Sequence, residues 1–261
     1  MNIFTYLKNQ GIDTVDSSFY TQIKTWEAWY RGNVRKFHHY HVYNGVNKIP
    51  CRRLSLGMAK KVSEDIADVL LNEKVKITVS ESQDDEEEAS STTGDWVQQI
   101  LKDNSFLVKG NEYQEKKAYS GTVAYAIQID GATVDDEGNL NGGVPKIKYV
   151  QAKNIFPISW DNGVIHEVAF QFPKTINRKK YVIVQMHRLK EVDGIRQYVV
   201  TNNLVECTNG AGTEISASKW KGLGLGNLIA EMKTGSDQPL FVVDRLNIVN
   251  NCLLYTSDAA D

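Results

Sequence analysis

The apolar positions in the first half of the chain recur at three- and four-residue steps, the period of an α-helix. This spacing predicts one helix over 17–30, with Phe19, Ile23 and Trp26 on one face. The segment 54–73 has the same period and a sharper division between its faces. The apolar face carries Leu54, Met58, Val62, Ile66 and Leu70, and the charged face carries Lys60, Lys61, Glu64, Asp65 and Asp68.

Shorter elements are predicted between this amphipathic helix and residue 121. The segment VKITV (75–79) predicts a strand, and the acidic, serine-rich residues after it predict a loop over 80–94. Two further helices follow: one opens at Asp95 and buries Trp96, Ile100 and Leu107, and one runs from about Asn111 to Tyr119 and ends at Gly121.

The period changes to two after Thr122, which predicts β-strands. Alternating segments are TVAYAIQI, IKYVQ, VIHEVAFQF, KYVIVQMH and IRQYVV, separated by Gly, Asn and Asp turns. Helices first and strands second favour an α+β fold, in which N-terminal amphipathic helices precede an antiparallel β-meander. The predicted division is a helical part over 1–120, with the acidic loop 80–94, and a β-rich part over 121–251.

The composition is that of a folded globular protein, with 41% hydrophobic and 24% charged residues in 261. The start, MNIFTYLKNQ, lacks the pattern of a secretory signal, and no long apolar run predicts a membrane segment. Cys51, Cys207 and Cys252 lie far apart without CxxC spacing, so neither a disulfide framework nor a zinc site is indicated. A reducing cytoplasm is the expected compartment.

The formal net charge of -2 conceals two blocks of opposite sign. We call residues 31–61 the basic segment, because they contain eight Lys and Arg and no acid. We call residues 81–88 the acidic run, because they contain six acids and no base. Charge is therefore patterned locally, and the net value says little about partners.

No catalytic, cofactor or metal constellation emerges from the residue patterns. GLGLGN (222–227) lacks the last glycine of a dinucleotide fingerprint and has no GK[ST] after it, which favours a surface turn. His38, His39 and His41 have no nearby acid or cysteine to complete a metal site. We therefore predict that the protein is not an enzyme and has no cofactor.

The stretch RGNVRKFHHYHVYNG interleaves cations with aromatic residues, a pattern found in nucleic-acid-binding surfaces. Arg31, Arg35 and Lys36 can neutralise phosphates while Phe37 and Tyr40 stack on bases or pack inward. One hypothesis is therefore a free-standing nucleic-acid-binding domain that uses the basic segment. Cations in such numbers are also common at subunit interfaces.

Five segments together resemble the portal proteins of tailed bacteriophages, in their Gram-positive siphophage branch. They are WEAWYRG (26–32), RRLSLGMAKKVSEDIADVLLNE (52–73), AYSGTVAYAIQID (118–130), VIHEVAFQF (164–172) and PLFVVDRLNIVNN (239–251). The resemblance runs in order over about residues 15–251. The most specific part is W-x-x-W-Y-x-G followed by the helix R-x-L-x-x-x-M-A-K-x-V.

The resemblance implies a virion protein that assembles in the host cytoplasm. Portal subunits form a homo-oligomeric ring, usually of twelve, at one capsid vertex, where double-stranded DNA is packaged and ejected and head joins tail. Implied partners are terminase, capsid or scaffolding proteins and head-completion proteins, with no membrane. The helices and meander correspond to the outer wing, and the stem, clip, DNA-contacting loop and crown would follow it.

A ring needs two different faces on each subunit, and the two charge blocks supply candidates. The basic candidates, for subunit or nucleic-acid contact, are Arg31, Arg35, Lys36, Arg52 and Arg53. The acidic candidates form an interface loop of Asp84, Asp85, Glu86, Glu87 and Glu88. We expect these opposite charges to steer neighbouring subunits together.

The last ten residues, CLLYTSDAAD (252–261), depart from the portal pattern. Related chains continue from a segment like LNIVNN into a turn and the first long stem helix. The replacement looks like a translated sequencing-adapter tail, so we expect 252–261 to be non-native and the chain to be an N-terminal fragment. A genuine short tail in a divergent protein is the alternative.

Overall fold

The computed structural model describes six ranges of the chain: 2–72, 74–78, 92–135, 140–192, 194–208 and 210–246. The acidic run, most of the predicted loop 80–94 and the tail 252–261 lie outside these residues. Within the described ranges the fold is α+β, with the helices first and antiparallel strands after them, as predicted.

The described residues of the first half of the chain form six α-helices: α1 Ile3–Asn9, α2 Ser17–Tyr30, α3 Arg35–His38, α4 Met58–Leu70, α5 Thr92–Asp103 and α6 Phe106–Ser120. Asp16 caps α2 by accepting a hydrogen bond from the Ser18 amide at 2.7 Å. Gly121 ends α6 in the left-handed conformation, with φ 77°. The predicted end of this last helix is confirmed.

Within the described ranges, thirteen strands pair in four antiparallel groups. They are β1 His39–Tyr43, β2 Lys48–Arg52, β3 Thr122–Asp130, β4 Thr133–Val134, β5 Leu140–Asn141, β6 Val144–Gln151, β7 Ile155–Asp161, β8 Val164–Ile176, β9 Lys179–Val192, β10 Ile195–Glu206, β11 Thr213–Ile215, β12 Glu231–Lys233 and β13 Phe241–Arg245. The groups are β1-β2, β4-β5, β13-β3-β6, and the large sheet β7-β8-β9-β10, whose last strand also pairs with β11 and β12.

The predicted meander is confirmed in part, because β7 to β10 follow one another as neighbours in the large sheet. The β7–β8 connection is a two-residue turn, Asn162-Gly163, with φ values of 45° and 74°. Asn-Gly favours such positive φ values and matches the twist of the flanking strands. β3 and β6 instead form a separate sheet with the late strand β13, a pairing across the chain that periodicity cannot predict.

The first core lies between α1, α2 and one face of the large sheet. Leu7 and Ile23 from the helices pack with Phe156 and Val184 from the strands. Tyr20 stacks on Phe156 with ring centroids 4.9 Å apart, and its hydroxyl donates to the Ile155 carbonyl at 2.6 Å. The N-terminal helices are therefore fixed to the sheet by both apolar and polar contacts.

The other face of the large sheet is covered by two clusters. Phe170 and Tyr198 of the large sheet pack against Ala124, Val150 and Phe241 of the smaller sheet. Farther along, Trp220 covers part of β9 and β10, and the leucines of GLGLGN join its cluster. The glycine-rich segment is thus a turn that places leucines on the core.

Three local predictions were wrong. Residues 75–78 form no strand. The helix α5 begins at Thr92, before Asp95, and its Trp96 is exposed rather than buried. Leu107 belongs to α6 rather than to α5, because Ser105 interrupts the helical conformation between the two helices with a φ of 49°. Among the described residues, no helix is long and apolar enough to cross a membrane.

Candidate assembly surface

Exposed apolar side chains are concentrated in one part of the chain. More than half of the large hydrophobic residues that are exposed among the described residues lie in 37–70. Scattered exposed apolar residues are ordinary, whereas a concentration of this kind marks an interaction surface. We call residues 37–70 the assembly segment; it contains β1, β2 and α4.

The helix α4 buries its small residues and exposes its large ones. Ser63 and Ala67 are 4% and 1% exposed, whereas Val62 and Val69 are 52% and 81% exposed. The fold contacts of α4 are chiefly with α6, and they are close: a Cβ atom added to Gly110 would lie 2.5 Å from Leu71 Cδ2. The predicted amphipathic helix is confirmed, but its apolar stripe faces solvent.

Hydrogen bonds of Ser63 and Asn111 accompany this arrangement, in which the small residues of α4 face the protein and its large apolar residues face solvent. The Ser63 hydroxyl donates to the Ala59 carbonyl at 2.9 Å, so it needs no partner on α6. Asn111 of α6 donates to the Leu71 carbonyl at 2.6 Å and to Asp68 at 3.1 Å. These contacts fix the end of α4 while its apolar face stays open.

The end of α2 is fixed to α6 by aromatic contacts. Tyr30 stacks on Tyr119 with centroids 4.2 Å apart and donates to Glu115 at 2.5 Å. Burial, followed by the Glu115 hydrogen bond, raises the pKa of Tyr30, so its hydroxyl stays a donor. The motif WEAWYRG therefore positions the start of the basic segment against the body of the protein.

An aromatic cluster holds the base of the β1-β2 hairpin. Trp29 packs on Phe37 with ring centroids 5.1 Å apart, and His38 is buried beside them. The Arg53 guanidinium lies 4.8 Å from the Phe37 ring centroid and 4.9 Å from that of Tyr40. Cation–π contacts of this kind hold the two ends of the hairpin together.

Beyond this base both faces of the hairpin are exposed, apart from the half-buried Cys51. Opposite residues in the strand pairing share a face. The pairs Tyr40–Cys51 and Val42–Ile49 make an apolar face, and the pairs His39–Arg52, His41–Pro50 and Tyr43–Lys48 make a polar, basic face. A two-stranded hairpin alone is marginally stable in water, so an exposed apolar face favours a partner.

The five predicted basic residues fall into two groups. Arg31 pairs with Glu27 at 2.6 Å, and Arg53 stacks on the aromatic cluster. Arg35, Lys36 and Arg52 are exposed and have no ion pair within the described part of the chain. Of the five, these three therefore have charges that neither an acidic side chain nor an aromatic ring engages among the described residues.

The acidic candidates Asp84, Asp85, Glu86, Glu87 and Glu88 lie outside the described residues. The histidines of the hairpin are exposed on the polar face, apart from His38 at its base. Across the described ranges, no three His, Cys, Asp or Glu side chains lie close enough to hold a metal ion. The chemistry of this surface is therefore apolar contact and positive charge.

A comparison with protein families shows which family contains this chain. Residues 10–194 match the family described as phage portal protein, SPP1 Gp6-like. The chain belongs to this family. It is a structural bacteriophage protein of the capsid vertex, and the matched range includes the whole assembly segment. No curated protein matches the chain.

A partly buried ion pair joins the last described strand of this portal protein to α6. The Lys117 ammonium lies 2.9 and 3.0 Å from the two Asp244 oxygens, and Gln114 donates to the same carboxylate at 3.0 Å. Periodicity missed this junction, because its partners are 127 residues apart. The sequence carries no signal for it, because Lys117 stands beside Lys116 in a polar stretch of α6.

Proposed function

We propose that this portal protein is the repeating subunit of a closed ring, with twelve copies, at one vertex of the capsid. Double-stranded DNA would pass through the ring during packaging and ejection, and the ring would join head to tail. Terminase, capsid or scaffolding proteins and head-completion proteins are the proposed partners. The family match over residues 10–194 is the observation that carries this proposal.

The helical part, 1–120, and the β-rich part, 121–251, are proposed to form the outer wing of the subunit. The proposed role is structural rather than enzymatic. Subunits would assemble in the host cytoplasm and end in the virion. The exposed apolar assembly segment supports this role, since a subunit that functions alone has no need for it.

A ring is built when one face of a subunit meets a different face of its neighbour. We propose that the basic segment, through Arg35, Lys36 and Arg52, and the acidic run steer this encounter. Opposite charges accelerate association and fix orientation more than they strengthen the final contact. Salt should therefore slow ring formation.

Native mass spectrometry and negative-stain electron microscopy of the purified protein test the proposed ring. We expect closed rings with twelve-fold symmetry; a monomer at all concentrations would contradict the proposal. Reversing the charges of the acidic run tests the steering step separately. Unchanged assembly of that variant across salt concentrations would refute the steering role but leave the ring.

The nucleic-acid-binding alternative makes a different prediction. If Arg35, Lys36 and Arg52 each contact one phosphate, these contacts would add about -2.7 to the log–log salt slope of binding to duplex DNA, or roughly -0.9 per contact. Replacing Arg35, Lys36 and Arg52 with Gln would remove that part of the slope, and exposed Lys48 would keep its own contribution. A portal subunit, through which DNA must slide, should show no measurable binding at physiological salt, which filter binding or fluorescence anisotropy can decide.

A further inference from the structure

Two apolar faces of the assembly segment are not covered by any other described residue of the subunit. The first is the outer stripe of α4, formed by Met58, Val62, Ile66 and Val69, all exposed. The second is the apolar face of the hairpin, formed by Tyr40, Val42, Ile49 and Cys51. Although only residues 53–57 separate β2 from α4, both faces stay open in the same chain.

The two faces match in length and in area. The α4 stripe from Met58 to Val69 is about 17 Å long at about 1.5 Å per residue. A five-residue strand of the hairpin is also about 17 Å long. Each face, with Phe37 added to the hairpin, exposes roughly 400 Å² of apolar surface, so joining them would bury about 800 Å².

The two faces also carry opposite charges. Arg53 lies on the apolar side of the hairpin, over the Tyr40 ring, and Arg52 lies on the opposite face. The outer half of α4 carries Asp65 beside its apolar stripe and Asp68 on the next turn. Lys61 neutralises Asp65 in part, at 2.7 Å, in an exposed pair that a stronger partner can replace.

We propose that the hairpin of one subunit lies with its apolar face on the α4 stripe of the neighbouring subunit. This inference rests on the proposed ring and names the contact that builds it. The contact is heterologous, since hairpin and stripe are different surfaces, and it repeats head to tail until the ring closes. The area of one contact is below that of a stable pair, so closed rings are expected without populated dimers.

Disulfide trapping tests the contact, because Cys51 already lies on the hairpin face. Cys207 and Cys252 are replaced with Ser, and Met58, Val62 and Ile66 are changed to Cys one at a time. A disulfide requires Cα atoms about 4.4–6.8 Å apart. At one or more of these positions, mild oxidation should give a ladder of dimers, trimers and larger species on a non-reducing gel.

The matched control is Val164→Cys, at a β8 position 56% exposed, compared with 52% for Val62. It should give no ladder, and neither should any α4 cysteine once Cys51 is changed to Ser. A second readout is ring assembly by native mass spectrometry. Val62→Asp should reduce rings at least tenfold, whereas Val164→Asp should leave them unchanged.

The outcomes separate this inference from the proposed ring. Rings that give no ladder and tolerate Val62→Asp would overturn the contact and leave the proposed function intact. Loss of rings in Val62→Asp without any ladder would mean that something other than the hairpin covers α4, which also overturns it. Absence of rings in the unmodified protein would refute the proposed function and the contact with it.

Discussion

His187 on β9 is completely buried in an apolar pocket of the portal subunit. Its ring lies between Phe170 and Phe241, with centroids 5.5 and 5.3 Å away. Nε2 lies 3.2 Å from the Gln185 side-chain oxygen, and Nδ1 has no hydrogen-bond partner among the described residues. A charge here would lose its hydration without gaining an opposite charge, so burial lowers the pKa of His187 to about 4.

This pKa makes the fold sensitive to mild acid. The pKa of the imidazole is 6.5 in the unfolded chain and about 4 in the folded protein, so the unfolded chain binds a proton at a higher pH than the folded protein does. The stability due to the neutral ring is therefore present above pH 6.5 and is lost as the pH falls towards 4. Between pH 7 and pH 5 the loss from this group is about 2 kcal/mol.

Urea unfolding of the wild type and of His187→Leu, at pH 7 and at pH 5, measures the part of this stability loss that is due to His187. Leucine has similar volume and does not titrate, so the variant should lose about 2 kcal/mol less than the wild type over this interval. Exposed His166 supplies the control: His166→Leu should keep the wild-type dependence. Equal losses in wild type and His187→Leu would refute the account.

Two further predictions concern the contacts of α6. Lys117→Met leaves the Asp244 carboxylate without its cation and should lower the free energy of unfolding by about 2 kcal/mol. This is less than the roughly 3–5 kcal/mol of a fully buried pair, because Asp244 is a quarter exposed. Adding Asp244→Leu should restore most of the lost stability, and a larger loss in the double variant would contradict the prediction. Ala67→Leu overpacks the α4–α6 contact and should cost about 1–3 kcal/mol, whereas exposed Val69→Ala should cost under about 0.5 kcal/mol, both by urea unfolding. The reverse order would mean that the apolar stripe faces the core.

The parts of the fold that depend on residues close together in the sequence could be predicted from it. The 3.6-residue period of α2 and α4, the end of α6 at Gly121 and the period of two after Thr122 report local geometry directly. The pairing of β13 with β3 brings together residues more than a hundred positions apart. No local period contains that information, so the second sheet was missed.

The candidate site was harder to predict, for the same reason. Periodicity identified the apolar stripe of α4, but it could not say whether the stripe meets the subunit's own core or another molecule. The deciding residues are Ser63 and Ala67, which are the buried residues of α4 and share its side with Leu71, the residue beside Gly110 of α6. Small residues at four-residue spacing on the charged side of a helix are a weak signal, and only the packing gives it meaning.

The orientation of α4 separates folding from assembly within one chain. Residues whose apolar side chains are buried, such as Tyr20 and Phe170, stabilise the subunit itself, so replacing them removes both the fold and anything built from it. The stripe of α4 and the hairpin contribute little to the core, because their side chains remain exposed. Changes there should therefore alter association while the free energy of unfolding of the subunit stays nearly constant. In the proposed ring, a subunit organised in this way would fold before it meets its neighbours, and its exposed apolar surface would favour association over persistence as a monomer.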